Sequence, residues 1–334
     1  MLTEYRLASV NRGECKVEGI YKTKIRETEL ADLVRKTLGG RLTKSREMTG
    51  GWANSAYALE LEDGMRAVLK AGPPKSARMM RYEVRIMKTE VEAMRLLASS
   101  PLPVPQVYHY DDTCTELPVE FFIMEHMDGE IYGSVKPSLS EAERETIDAE
   151  LGRLNRILNE VRGQRFGLYA QPSDAGWKDT FMDLIFGVLL DGEEMGVVLP
   201  VPYAEIRGEV LARSEVLDEV KEPRLVHWDL WDGNVFVKDG AVTGLIDFER
   251  ALWGDPLMEV YFSHFNRSPA FLRGYGKSKL SESEFARRSL YDLYLDLILY
   301  VECTFRQYDD EGHIRWARDN LAEGLARFMN GQHR

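Results

Sequence analysis

LVHWDLWDGNVFVKDGAVTGLIDF, residues Leu225–Phe248, is the stretch from which the fold of this chain is read. Two apolar runs, Val235–Lys238 and Val242–Ile246, flank a Lys-Asp-Gly turn, so the middle of the stretch is a two-strand hairpin. Ahead of it stands His227-Trp228-Asp229, with Asn234 five residues beyond the aspartate; behind it, Leu245-Ile246 runs into Asp247. A loop presenting Asp and Asn beside a strand that ends in a carboxylate gathers an acid and two oxygen ligands in one place. Magnesium, a hard cation, prefers such ligands. A hydroxyl nucleophile needs a carboxylate to orient it and accept its proton. One Asp for the hydroxyl and an Asn–Asp pair for metal are the parts of a phosphoryl-transfer site.

The rest of the chain leaves room for such a site. Its 334 residues fit two lobes better than one average core, and the 44% hydrophobic fraction is ordinary for a globular protein. A net charge of −12 argues against nucleic acid or an anionic membrane as the main partner and is compatible with a cationic small molecule. Cys15, Cys114 and Cys303 are far apart and form neither a disulfide framework nor a zinc set, which suits a reducing cytoplasm. The N-terminus shows no signal-peptide pattern, and the apolar runs near Phe181–Leu190 and Leu295–Val301 are too short or interrupted to span a bilayer.

Upstream, Glu27–Leu38 reads as a short amphipathic helix, followed by strands at Leu42–Met48, Ser55–Leu61 and Met65–Ala71. Ser76–Ser99 reads as one long helix with apolar positions Val84, Met87, Val91, Met94 and Leu97. Val107–Tyr110 and Val119–Met124 are two more strands, and Gly129 is a linker. Beyond it helices are expected at Ser140–Val161, Gly176–Leu190, Pro202–Val220, Glu282–Tyr308 and Arg315–Asn330, interrupted only by the hairpin. The expected class is α+β: a small antiparallel-sheet lobe with one main helix over residues 1–126, and a larger, mostly helical lobe over 127–334.

The Leu225–Phe248 segment resembles the catalytic loop and metal strand of the aminoglycoside phosphotransferase family, within the protein-kinase-like fold that includes choline and fructosamine kinases. The resemblance implies Asp229 as the catalytic aspartate, Asn234 and Asp247 as magnesium ligands, and His227 as a brace. Gly254-Asp255-Pro256 and Glu259 are similar to the family's helix entry after the metal strand. Arg66-Ala67-Val68-Leu69-Lys70 resembles the V-A-I-K strand, so Lys70 is expected on the phosphates of ATP or GTP. Glu90 is its expected acidic partner, with Glu83 and Glu92 as rivals. Thr49–Ser55 looks like the nucleotide-covering loop, with Gly51, Asn54 and Ser55 near the phosphates. Phe122–Gly129 resembles the segment joining the lobes, whose backbone near Glu125 and Met127 would bind the purine.

Two departures stand out: Trp228 occupies the place of a small glycine, and Glu249 follows Asp247 by two. An aminoglycoside-like acceptor leads. A sugar-derived metabolite follows, because Asp229-Leu230-Trp231-x-Gly233-Asn234 also resembles fructosamine kinases; a choline-like acceptor is third. From a different class, a catalytically silent nucleotide-binding module would show loss of Lys70, Asp229 or Asp247, and all three are present.

Overall fold

The computed structural model describes residues 20–48, 54–266 and 268–331. The elements run α1 (Glu27–Thr37), β1 (Leu42–Met48), β2 (Ser55–Leu61), β3 (Arg66–Ala71), α2 (Ile86–Leu97), β4 (Val107–Asp111) and β5 (Phe121–Glu125). Next come β6 (Glu130–Ile131), α3 (Tyr132–Val135), α4 (Glu141–Glu160), β7 (Phe166–Leu168), β8 (Gln171–Ser173), α5 (Trp177–Glu194), α6 (Tyr203–Arg213) and β9 (Arg224–Val226). The order closes with β10 (Val235–Lys238), β11 (Ala241–Leu245), β12 (Leu252–Gly254), α7 (Pro269–Tyr275), α8 (Glu282–Arg306) and α9 (Glu311–Met329).

Strands β1–β5 form one antiparallel sheet in the order β1-β2-β3-β5-β4. β2 alternates buried and more exposed residues, as a strand with one covered face should. Central β3 is buried from Ala67 onward. One face of the sheet meets α1 through Leu30, Leu33 and Val34. The other face contributes Val68, Phe122 and Met124 to a core that also holds Met87, Val91 and Met94 of α2 and most apolar residues of the helical region. Helix α2 therefore belongs to the larger core as much as to its own lobe.

Four expectations need correction. The single helix over Ser76–Ser99 is confined to Ile86–Leu97, preceded by a 3-10 turn at Arg81–Glu83. Arg85 between them is left-handed (φ 56°), because Glu83 is drawn out of helical phase by Arg306, the Tyr21 hydroxyl and the Met80 amide. The helix over Pro202–Val220 gives way after Arg213 to a 3-10 stretch, Ser214–Glu219. The helical region holds more β structure than one hairpin: β6 extends it into a three-stranded sheet, and β8-β7-β12-β9 form a second. Their two- and three-residue strands are too short for a period-two signal. Finally, the segment from Gly254 to Glu259 enters no α-helix; two 3-10 turns, Pro256–Met258 and Val260–Phe262, follow β12.

Helix α8 carries a buried acid. Asp296 is buried, accepts a hydrogen bond from Asn320 at 2.7 Å and leaves Oδ2 without one. Burial pushes its carboxyl up from 3.8 to about 7; His264 and Asn320 oppose the shift and Asp292 adds to it. An acid whose folded pKa is raised holds its proton more tightly when folded, so its contribution to stability falls as pH rises from about 4 through 7. Asp296→Asn should therefore raise Tm by about 2–4 °C at pH 8 and by clearly less at pH 5, read by thermal melts. Equal gains at both pH values would contradict this.

Candidate active site

Lys70 sits near the end of β3, opposite Ala56 of β2 and Phe122 of β5, with its stem inside the fold. Its Nζ donates at 2.6 Å to Glu90 Oε2 and at 2.6 Å to Asp247 Oδ1. Burial alone would depress this amine, but the two carboxylates outweigh it and hold its pKa well above the usual lysine value. Asp247 is also desolvated, yet Lys70 keeps its carboxyl below the ordinary range. Burial pushes Glu90 up to about 7 against the pull of Lys70. Glu90 lies on the buried stripe of α2 with Met87, Val91 and Met94. Its rivals are engaged elsewhere: Glu83 with Arg306 at 2.7 Å, and Glu92 with Lys88 at 3.5 Å on the surface.

The loop after β9 is held by its own backbone and by two buried side chains. The Asp229 amide donates to His227 Nδ1 at 3.2 Å, so the proton sits on Nε2, which donates to the Ile246 carbonyl at 2.9 Å. His227 thus ties the loop to the strand that ends in Asp247. Asn234 Nδ2 donates to the Asp229 carbonyl (2.8 Å) and carboxylate (3.2 Å), so the atom it offers to a cation is Oδ1.

Glu259, wholly buried, accepts from the Trp228 amide (3.3 Å), the Leu230 amide (3.1 Å) and Asn155 (3.2 Å). Sequence reasoning treated Glu259 as part of a helix entry and missed this clamp. Removing a buried acceptor strands the donors it served. Glu259→Ala should cost about 2–4 kcal/mol in urea unfolding, and a loss under about 1 kcal/mol would show that another acceptor serves the loop.

Trp228 is left-handed (φ 63°), which explains why a small residue suits this place. Its indole stacks on Tyr294 (5.1 Å between centroids, 10° between planes) and meets Tyr82 edge-on. That packing offsets the strain of the conformation. Trp228 therefore lies beneath the loop and does not narrow the cleft. Trp231, two residues past Asp229, does line it; its ring folds over Gly233, where any Cβ would come within 2.2 Å of the indole.

The cleft encloses roughly 270 Å³. Lys70, Glu90, Asp229, Asn234 and Asp247 all line it, as do Asn54, Glu125 and Met127. Ser55 does not: it is buried in β2, paired with Ala71. Gly51 lies outside the described residues. The Glu125 amide is engaged by the Gln106 carbonyl at 2.8 Å. Glu249 also reaches the cleft and accepts from Asn54 Nδ2 at 2.6 Å across the lobes. Burial, reinforced by Asp247, pushes its carboxyl up to about 8. Carboxylate oxygens of Glu90, Asp247 and Glu249 lie within 4.8 Å of one another, an all-oxygen donor set that fits a hard divalent cation.

A sequence profile of the phosphotransferase enzyme family matches residues 44–293, well over half of the chain. The chain belongs to that family. Among the curated proteins that this phosphotransferase-family chain matches is acyl-CoA dehydrogenase family member 11. The Pongo abelii protein is 24% identical over 249 residues, 71% of this chain and 29% of its own length. The Homo sapiens protein is 25% identical over 210 residues, 60% and 25% respectively. The chain spans under a third of the length of these relatives.

Among solved structures, a candidate fructosamine-3-kinase from Thermobifida fusca YX-ER1 superposes with a TM-score of 0.67 at 19% identity, over 90% of this chain and 98% of that one. The aminoglycoside phosphotransferase APH(4)-Ia, a thermostable mutant in ternary complex with ADP and hygromycin B, gives 0.66 at 18% identity, over 89% and 98%. These likenesses are of fold: a kinase-like arrangement with an antiparallel-sheet N-lobe and a mixed helical C-terminal region. Among the described residues of this phosphotransferase-family chain, no helix is long and apolar enough to cross a membrane.

Proposed function

We propose that the protein transfers the γ-phosphoryl group of ATP or GTP to a hydroxyl of a small molecule, with the lobes meeting at residues 126 and 127. One observation supports this reading above the rest: Lys70, Asp229, Asn234 and Asp247, from separate stretches of chain, line a single cleft. In it, Asp229 orients the acceptor hydroxyl and takes its proton. Lys70, steadied by Glu90, binds the donor's phosphates and places them in line with that hydroxyl. Asn234 and Asp247 hold magnesium, which when bound neutralises charge on the phosphates. Asn54 lies beside the donor's phosphates, and backbone groups near Glu125 and Met127 bind the purine.

For the acceptor we propose an aminoglycoside-like or other hydroxylated small molecule, in line with the hygromycin B complex of the structural neighbour. A fructosamine-like sugar metabolite is the second reading, favoured by the likeness to the Thermobifida fusca structure. We place the protein in the cytoplasm, consistent with free Cys114 and Cys303. The test is magnesium-dependent thermal stabilisation by ATP or GTP, followed by nucleotide turnover across a panel of amine- and hydroxyl-bearing molecules. Stabilisation and turnover are expected. Stabilisation with no turnover on any acceptor would identify a silent binding module instead.

A further inference from the structure

Between helix α2 and the catalytic loop lies a buried chain of alternating charge. Glu83, just before α2, is 2% exposed, and its Oε1 accepts from Arg306 Nη2 at 2.7 Å. Arg306 ends α8, is also 2% exposed and reaches Glu302 Oε2 at 3.3 Å. The same Glu302 oxygen accepts from Arg250 Nη2 at 3.1 Å. Arg250 stands three residues past Asp247, and its guanidinium lies 5.6 Å from the ring centre of Tyr82 and 5.7 Å from that of Trp228. Trp228 in turn precedes Asp229. The chain thus starts at the entry to the helix bearing Glu90 and ends against the residues flanking Asp229 and Asp247.

We propose that Arg306 is a positioning residue that latches α2 to the catalytic loop, presetting the distance from Lys70 and Glu90 to Asp229 before any nucleotide arrives. Both ends fit a latch. Glu83 is fixed on its other oxygen by the Tyr21 hydroxyl (3.1 Å) and the Met80 amide (2.9 Å), and Arg306 Nη1 donates to the Tyr308 hydroxyl at 3.1 Å. Buried ion pairs are poor sources of net stability but strong constraints on geometry, because removing one partner leaves a charge with no other place to go. The left-handed Arg85 is the local signature of that constraint: the turn bends to bring Glu83 to Arg306 and does not continue the helix. Arg306 also lines the cleft, but these bonds run to Glu83, Glu302 and Tyr308 and not to Lys70, Asp229, Asn234 or Asp247. Its effect on turnover, which rests on the phosphotransfer reading, passes through Glu83 and Glu302.

Hydrogen exchange on the full, nucleotide-free chain tests the latch without any assay of turnover. The amides of α2 should be protected to the same degree as those of α8; exchange faster by about 100-fold in α2 would overturn the proposal. In Arg306→Met, α2 protection should fall by about tenfold or more while α9 is unchanged. Turnover should fall about 100-fold, with the nucleotide KM moved by less than about threefold. Arg306→Lys, which keeps the charge, should recover most of that loss. A folded Arg306→Met variant with lowered Tm but wild-type kcat and α2 exchange would mark the pair as structural only and sink the idea. Should Arg306→Met not fold, Glu83→Gln carries the same comparison with its shape retained. Failure of the phosphotransfer reading alone would remove the turnover arm and leave the exchange result to decide.

Discussion

Asp247→Asn should lower phosphoryl transfer by about 10³-fold or more and remove the magnesium dependence of nucleotide binding. Asparagine is the right substitution because Asp247 is left-handed (φ 71°), a conformation that Asn tolerates and most other residues resist. The backbone should therefore stay in place while the charge is lost. Two consequences follow from the geometry. The negative charge now 2.6 Å from Lys70 disappears, leaving Glu90 as the charged hydrogen-bond partner of that amine. The proposed cation site loses its central anion, worth several kcal/mol where charge develops on the phosphates. Calorimetric titration with ADP, with and without magnesium, checks the binding half of the prediction. Metal-enhanced binding of wild-type strength in the variant would show that the ligands lie elsewhere.

Asp229→Asn is expected to lower kcat by about two to four orders of magnitude and to leave nucleotide affinity within about threefold. The loop should survive the change, because the contacts that shape it run through other atoms. Glu259 takes the Trp228 and Leu230 amides, His227 takes the Asp229 amide, and Asn234 keeps the Asp229 carbonyl. The 3.2 Å contact between Asn234 and the carboxylate is altered. Steady-state turnover and nucleotide titration on the same preparation separate the two effects. Unchanged kcat would remove Asp229 from the chemistry, whereas weakened nucleotide binding would show that the loop had moved.

How much of this was readable in the sequence depends on the range of the signal. The Leu225–Phe248 segment was legible because its polar residues bracket a hairpin whose Lys-Asp-Gly turn is local, and that hairpin is β10–β11. Glu90 is expected only from the family resemblance, with Glu83 and Glu92 as rivals; the folded helix puts Glu90 on the stripe with Met87, Met94 and Leu97, whereas Glu92 faces outward. The break at Arg85 was not legible. Its cause, the hold of Arg306 on Glu83, joins residues 223 apart in the chain. The bond between Asn54 and Glu249, 195 residues apart, was equally out of reach. The clamp by Glu259 left one weak trace, an acidic residue beside an apolar run that Tyr261 and Phe262 bury.

The short pairing of β9 with β12 joins Val226 to Leu252 at the base of everything between them. Most of what the helical region supplies to the cleft, from Asp229 through Asn234 to Asp247, Glu249 and Arg250, is thereby one excursion of chain cinched at its neck, to which Gly133, Ser134 and Arg306 are added from outside. Its tip, the exposed turn at Asp239 and Gly240, points to where an insertion would be absorbed harmlessly. A lesion at the neck would scatter every one of those groups together. These cleft-lining groups of residues 229–250 thus behave as a cassette, gained or lost together.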